Sequence, residues 1–253
     1  MAHHVSAGVI GVMAKSAAAI IIGNEILSGK FADANGPYLI RALRARGIDL
    51  RHLAAVPDED SAIVEAVRRL RAQVDVVFTS GGLGPTHDDV TVRAVAAALE
   101  RPVERYLLME DRVRKAFGRE VNEDALRLAD APRGARFLDA PGLWIPVLTV
   151  ENLVLLPGIP ELFREQLDAV IDRFRESAFL IRRVFLSVHE HRIAASLTRV
   201  ADRFSDVAIG SYPVLGSDHK VELTLESRSG ERVQAALDAL LEVLPESSVL
   251  RVQ

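Results

Sequence analysis

Three glycines, four hydroxyl side chains and two adjacent aspartates crowd into one short stretch, Thr79-Ser80-Gly81-Gly82-Leu83-Gly84-Pro85-Thr86-His87-Asp88-Asp89-Val90-Thr91. Glycines just beyond a buried strand permit tight turns and let a ligand approach the backbone closely. A helix opening near Asp89 or Thr91 would offer free N–H groups and a positive dipole end to an anion. Asp88 and Asp89 complicate a bare phosphate cradle, because carboxylates repel phosphate unless a cation lies between them. The combination suggests a metal-bridged phosphate, or an aspartate that orients a nucleophile. The plain alternative is a Gly-Pro loop with Asp89 capping a helix. Two further polar stretches carry similar side chains. One is Gly23-Asn24-Glu25-Ile26-Leu27-Ser28-Gly29 with Asp33-Ala34-Asn35; the other is Pro57-Asp58-Glu59-Asp60.

These loops need elements that bring them together. Residues 17–23 form an unbroken apolar run suited to a strand buried on both faces, with a second strand over 48–56 and a third over 74–79. Helices are expected from Pro37 to Arg46, through Ile63, Val64, Val67 and Leu70, and through Val92, Val95, Ala96 and Leu99. Strands alternating with helices predict a parallel sheet whose carboxyl ends carry the ligand, and all three polar loops fall on that edge. Residues 106–129 read as a charged helical excursion, 144–149 and 152–156 as a hairpin, and 161–175 as a closing helix. From residue 180 the order becomes βαββαβ, the sign of a small second module. The expectation is an α/β parallel-sheet domain over 17–178 and a small α+β domain over 179–253, behind a disordered leader, 1–16.

Composition narrows the function. The 253 residues contain no cysteine, which removes disulfides, thiolate metal sites and cysteine nucleophiles. A net charge of −4 and 5% aromatic residues do not favour nucleic acid. No run approaches the roughly 20 apolar residues of a membrane span, and the start lacks the cationic and apolar parts of a signal peptide. A cytoplasmic protein is expected.

The motifs, taken in order, carry a resemblance. Gly23-Asn24-Glu25-Ile26-Leu27 with Asn35, Pro57-Asp58-Glu59, the glycine–aspartate stretch and Pro157-Gly158-Ile159-Pro160-Glu161 resemble the molybdopterin-binding (molybdenum-cofactor biosynthesis) domain family. Within it the chain is similar to the N-terminal part of competence/damage-inducible proteins of the CinA type and to the molybdopterin-binding-like domain of eukaryotic FAD synthases. Ile209-Gly210-Ser211-Tyr212-Pro213 and Val221-Glu222-Leu223-Thr224-Leu225 extend the match to the C-terminus. The resemblance implies a three-layer domain and a phosphorylated nucleotide or pterin as ligand. It places Asp58 and Asp89 at the reacting phosphates, with a divalent metal (Mg²⁺, Mn²⁺ or Co²⁺) and Glu25 as a third metal ligand. Gly81, Gly82 and Gly84 would give backbone amides, and Ser80 and Thr86 hydroxyls. Gly23, Asn24, Asn35, Thr79, Pro85, Asp88, Thr91, Pro157 and Gly158 complete the expected ligand-binding set. The CinA-type branch implies hydrolysis of a pyrophosphate bond in an FAD- or ADP-ribose-like dinucleotide. The alternatives are a non-catalytic binding module and a molybdopterin adenylyltransferase. Self-association as a dimer or trimer is implied by resemblance only.

Two departures stand out. Asn24 occupies a position where many relatives have Asp, and Pro141-Gly142-Leu143-Trp144-Ile145-Pro146 replaces a Gly-Thr-Ala-Pro-Gly stretch. Other residues have ordinary readings beside functional ones. His189 and His191 could bind metal but lack a third ligand nearby. His87 could touch phosphate or simply fill the loop. Trp144 could stack on a flat ring or cover the hairpin. Arg112, Arg114, Lys115 and Arg119 suit a charged face that could also reach a second phosphate.

Overall fold

The computed structural model describes residues 15–245 and 247–253, so most of the expected leader lies outside the described residues. Ser16 does not belong to a leader: it opens β1 (Ser16–Ile22), which is buried along its whole length. The carboxylate of Asp75 accepts hydrogen bonds of 2.9 Å from the Lys15 and Ser16 amides and from the Ser16 hydroxyl. Burial raises the Asp75 pKa, but these hydrogen bonds outweigh it and hold the carboxyl below its usual range.

The chain divides into two compact units, residues up to 176 and residues 177–253. In the first, β1 leads to a short α1 (Asn24–Leu27), then α2 (Asn35–Ala45), β2 (Asp49–Val56), α3 (Asp60–Arg71), β3 (Val76–Ser80) and α4 (Thr91–Ala98). Next come β4 (Val103–Arg105), α5 (Leu107–Phe117), α6 (Glu123–Leu126), β5 (Asp130–Pro132) and β6 (Arg136–Leu138). The unit closes with β7 (Val147–Val150), β8 (Leu153–Leu156) and α7 (Pro160–Val170). The main sheet has the order β2-β1-β3-β8-β7-β6. Its first four strands are parallel, and β7 and β6 add to it antiparallel.

Strand alternation builds three layers. Ala17, Ala19, Phe78 and Leu156 pack with Leu39 and Leu43 of α2 and Phe163 and Leu167 of α7. Ala18, Ile20, Val77 and Leu155 point the other way, onto Ile63, Val67 and Leu70 of α3 and Val95 of α4. Alanines at 17–19 allow the helices to approach β1, and the larger isoleucines fill the space beyond. The excursion folds as α5 and α6, packed through Val113, Ala125 and Leu126, beside a two-stranded β4–β5 ribbon.

Three details differ from the sequence reading. α2 starts at Asn35 rather than Pro37, because Asp33 accepts hydrogen bonds from the Asn35 and Gly36 amides and so caps the earlier start. The hairpin strand begins at Val147, which leaves Trp144 in the preceding turn. The three-residue strands β4, β5 and β6 have no counterpart in the expected element order.

The second unit consists of β9 (Leu180–Leu186), α8 (Ala194–Arg203), β10 (Ala208–Pro213), β11 (Val221–Ser227), α9 (Gly230–Val243) and β12 (Val249–Val252). This is the βαββαβ order, arranged as an antiparallel sheet, β10-β11-β9-β12. Val184, Leu186, Leu223 and Leu225 form its core with Val200 of α8 and Val233, Leu237 and Leu240 of α9. Ser229 caps α9 through a hydrogen bond from the Arg232 amide.

Candidate functional site

The parallel strands end at Ile22, Val56, Ser80 and Leu156, and the loops that follow are tied to one another. The Gly23 amide donates to the Val56 carbonyl at 3.1 Å, and the Gly81 amide to the Leu156 carbonyl at 3.1 Å. Gly81 has φ +107°, and a Cβ there would overlap the Ile22 carbonyl oxygen. Gly158 comes so near that its own Cβ would lie 3.3 Å from Gly81 Cα. Three strand ends therefore converge on a position with no room for a side chain.

Asn35, at the start of α2, locks this convergence. Its Nδ2 donates to Ser80 Oγ at 2.9 Å and to the Gly158 carbonyl at 2.8 Å, while its buried Oδ1 has no hydrogen-bond partner. One side chain thus ties together the loops after β1, β3 and β8. Asn35→Ala is expected to cost about 2 kcal/mol, since it leaves the Gly158 carbonyl without this donor. The measurement is a denaturant midpoint at unchanged slope; an unshifted midpoint would contradict the role.

Beside these loops lies a cavity of about 870 Å³. Of the sequence-predicted residues, Glu25, Asn35, Asp58, Ser80, Gly81, Gly82, Gly84, Pro85, Asp88, Asp89, Pro157 and Gly158 line it. The remaining five do not, for identifiable reasons. Thr79 points into the core on the opposite side of β3 from Ser80 and is fully buried. Thr91, also fully buried, donates its hydroxyl to the Gly81 carbonyl at 2.8 Å and so braces the glycine loop from behind. Gly23 is committed to the backbone bond with Val56. The Asn24 amide donates to Asp58 Oδ2 at 2.8 Å, an orienting contact. Thr86 holds both loop aspartates: its amide donates to Asp89 Oδ2 at 2.8 Å, and its hydroxyl lies 2.6 Å from Asp88 Oδ1 and 2.5 Å from Asp89 Oδ2.

That last arrangement has an electrostatic consequence. One hydroxyl proton cannot serve two carboxylates at once. The Thr86 hydroxyl holds the Asp88 carboxyl below its ordinary range, so it stays ionised in mildly acidic solution. Such a donor set suits a cation. Among the described residues, however, no group of three His, Cys, Asp or Glu is assembled that could hold a metal. Glu25, Asp58 and Asp89 therefore do not form a cage of their own. Asp58 and Asp89 each have one oxygen bonded to a loop amide and Oδ1 without a described hydrogen bond. Such free carboxylate oxygens are what a divalent ion takes when one or two carboxylates and substrate phosphates hold it.

The rest of the cavity lining is largely apolar and aromatic, with Phe31, Phe117, Phe137 and Trp144 joined by Met109, Leu83 and Leu128. Phe117 and Trp144 meet edge to face at 6.2 Å. Phe31 and Trp144 are 60% and 41% exposed. Phe31, Phe117 and Phe137 had no signal in the sequence, since they come from three separate segments. Among the other candidates, His87 is 97% exposed and outside the cavity. Arg112 pairs with Asp139 and Arg114 with Glu110, as a charged face requires. His189 and His191 stack on each other at 6.0 Å.

Comparison with known proteins places this geometry. Residues 18–176 match the family model described as a probable molybdopterin binding domain. The chain belongs to the molybdopterin-binding domain family. Residues 178–253 match the model described as FAD synthase, middle domain. A protein of Archaeoglobus fulgidus is 31% identical over 89% of this chain and 96% of its own length. A probable FAD synthase of Caenorhabditis elegans is 31% identical over 91% of this chain, which spans 50% of that longer protein. Among solved structures, the protein CinA of Thermoplasma acidophilum, titled as of unknown function, matches with TM-score 0.59 and 30% identity over 64% of this chain and 98% of that one. The family assignment agrees with the motif order, and the cavity with its nucleotide- or pterin-binding character. No helix among the described residues is long and apolar enough to cross a membrane.

Proposed function

We propose that the first unit hydrolyses the pyrophosphate bond of an FAD- or ADP-ribose-like dinucleotide with the help of a divalent metal. The observation that carries this reading is a single cavity lined both by the aspartates of the glycine loop and by aromatic side chains. A dinucleotide offers the matching pair of features, a charged pyrophosphate and a flat ring. The similarity to FAD synthases and CinA supports the choice of ligand class.

The residues then take the following roles. Phe117 and Trp144 receive the ring, and the glycine loop presents its backbone to the phosphates. Asp58 and Asp89 would hold Mg²⁺, Mn²⁺ or Co²⁺, which when bound supplies charge neutralisation at the phosphate oxygens. Attack of water on one phosphorus forms a P–O bond as the bond to the bridging oxygen breaks. FAD and water thus become FMN and AMP. The water proton leaves to solvent through a cavity carboxylate, a role open to Glu25, which lines the cavity.

The test is incubation of the full chain with FAD, ADP-ribose or NAD and each metal in turn, with AMP measured by chromatography. Metal-dependent AMP release is expected; its absence with all three metals would overturn hydrolysis. One observation favours a second reading, a binding module without turnover. No three-acid group is assembled among the described residues. That module would show ligand-induced thermal stabilisation and no product.

A further inference from the structure

The cavity is acidic, yet it contains one cation that does not belong to the acidic cluster. Arg127, in the turn after α6, is the one basic residue among those described as lining it. Its Nη1 donates to the Pro85 carbonyl at 3.1 Å, and no carboxylate among the described residues comes within ion-pairing distance. Its neighbours are treated differently. Arg105 pairs with Asp130 and Glu123, Arg112 with Asp139, and Arg114 with Glu110. Arg127 is also partly buried, against Leu128 and the glycine loop. Withdrawing a guanidinium from water without an anionic partner is unfavourable, and four of its five N–H donors have no described acceptor.

Position gives this cation a use. Pro85 directly precedes Thr86, the residue that gathers Asp88 and Asp89. The Pro85 carbonyl therefore fixes the guanidinium at the same end of the glycine loop as the aspartates. A planar fork held by one hydrogen bond can still offer two N–H groups to an oxyanion.

We propose that Arg127 is the anion receptor of the cavity and binds a ligand phosphate directly, independently of any metal. This rests on the nucleotide reading above and deepens it. The site would hold a phosphate pair in two ways, one phosphate through a cation at Asp58 and Asp89 and the other on Arg127. The ligand class it selects is a nucleoside diphosphate or its ester rather than an uncharged nucleoside.

The test is calorimetric binding of ADP, AMP and adenosine in EDTA to the full chain and to R127Q and R127K. Glutamine keeps a polar side chain but carries no charge and is too short to take the place of Nη1 at Pro85, and lysine keeps the charge without the fork. The expected result is ADP binding about 10-fold weaker to R127Q, equivalent to about 1.4 kcal/mol. Adenosine binding should be unchanged and the salt dependence of ADP binding reduced, with R127K between wild type and R127Q. Equal ADP affinity in wild type and R127Q would overturn the role of Arg127 while leaving the nucleotide reading intact. Failure of wild type to bind any of the three, with Mg²⁺ as well as without, would overturn both.

Discussion

Asp89→Ala should reduce metal-dependent AMP release from FAD or ADP-ribose by about 10²- to 10³-fold, the cost of removing one preorganised charge-stabilising group. Asp89 does two things at once. Its Oδ2 accepts from the Thr86 amide, which shapes the loop, and its Oδ1 remains for a cation. The Asp89→Asn variant keeps an acceptor for the Thr86 amide but loses the charge. The two variants therefore separate loop shape from electrostatics. A charge role predicts similar losses in both, with stability largely retained in Asp89→Asn. If Asp89→Asn released AMP at the wild-type rate, the aspartate would be a loop brace and nothing more. Rates should be compared at saturating metal, because weakened metal affinity alone would appear as a higher metal requirement.

The second large effect concerns the backbone. Gly81→Ala is expected to destabilise the first unit by about 3 kcal/mol, because a side chain at positive φ is strained and this one also meets fixed backbone. The obstacle is the Ile22 carbonyl oxygen at the end of the central strand, which cannot swing aside as a side chain would. Any relief must push apart the ends of β1 and β3, which disturbs Asn35 and Gly158 as well. Gly29 is the control, with φ +73° but open space around its Cβ position. Gly29→Ala should cost about 1 kcal/mol, from the backbone alone. Chemical denaturation of both variants measures the difference; equal losses would show that the close packing at Gly81 is not what the glycine is for.

Much of this architecture was legible in the residues. The uninterrupted apolar run from Ala17 suited a strand buried on both faces, and β1 is buried along its whole length. The glycine loop was legible because glycines were needed where a strand turns at positive φ. Thr79 and Thr91 were assigned to the ligand on residue type, whereas strand alternation and helix position turn them inward. The aromatic wall was hidden for a different reason. Phe31, Phe117, Phe137 and Trp144 share no spacing, and only the folded excursion brings them to one cavity. Arg127 was hidden among many arginines, since pairing with a carboxylate is a property of space and not of order. Three-residue strands such as β6 are too short for alternation to be visible.

The wall also provides the most direct measurement. Trp144 is the chain's one tryptophan, and it lines the cavity. Its emission therefore reports on this site alone. Titration with ADP-ribose and Mg²⁺ should give a saturable change in Trp144 fluorescence, at the same affinity that calorimetry records. The change should weaken in Asp89→Ala. Calorimetric binding that leaves Trp144 emission untouched would place the ligand elsewhere, and would contradict the cavity as the functional site.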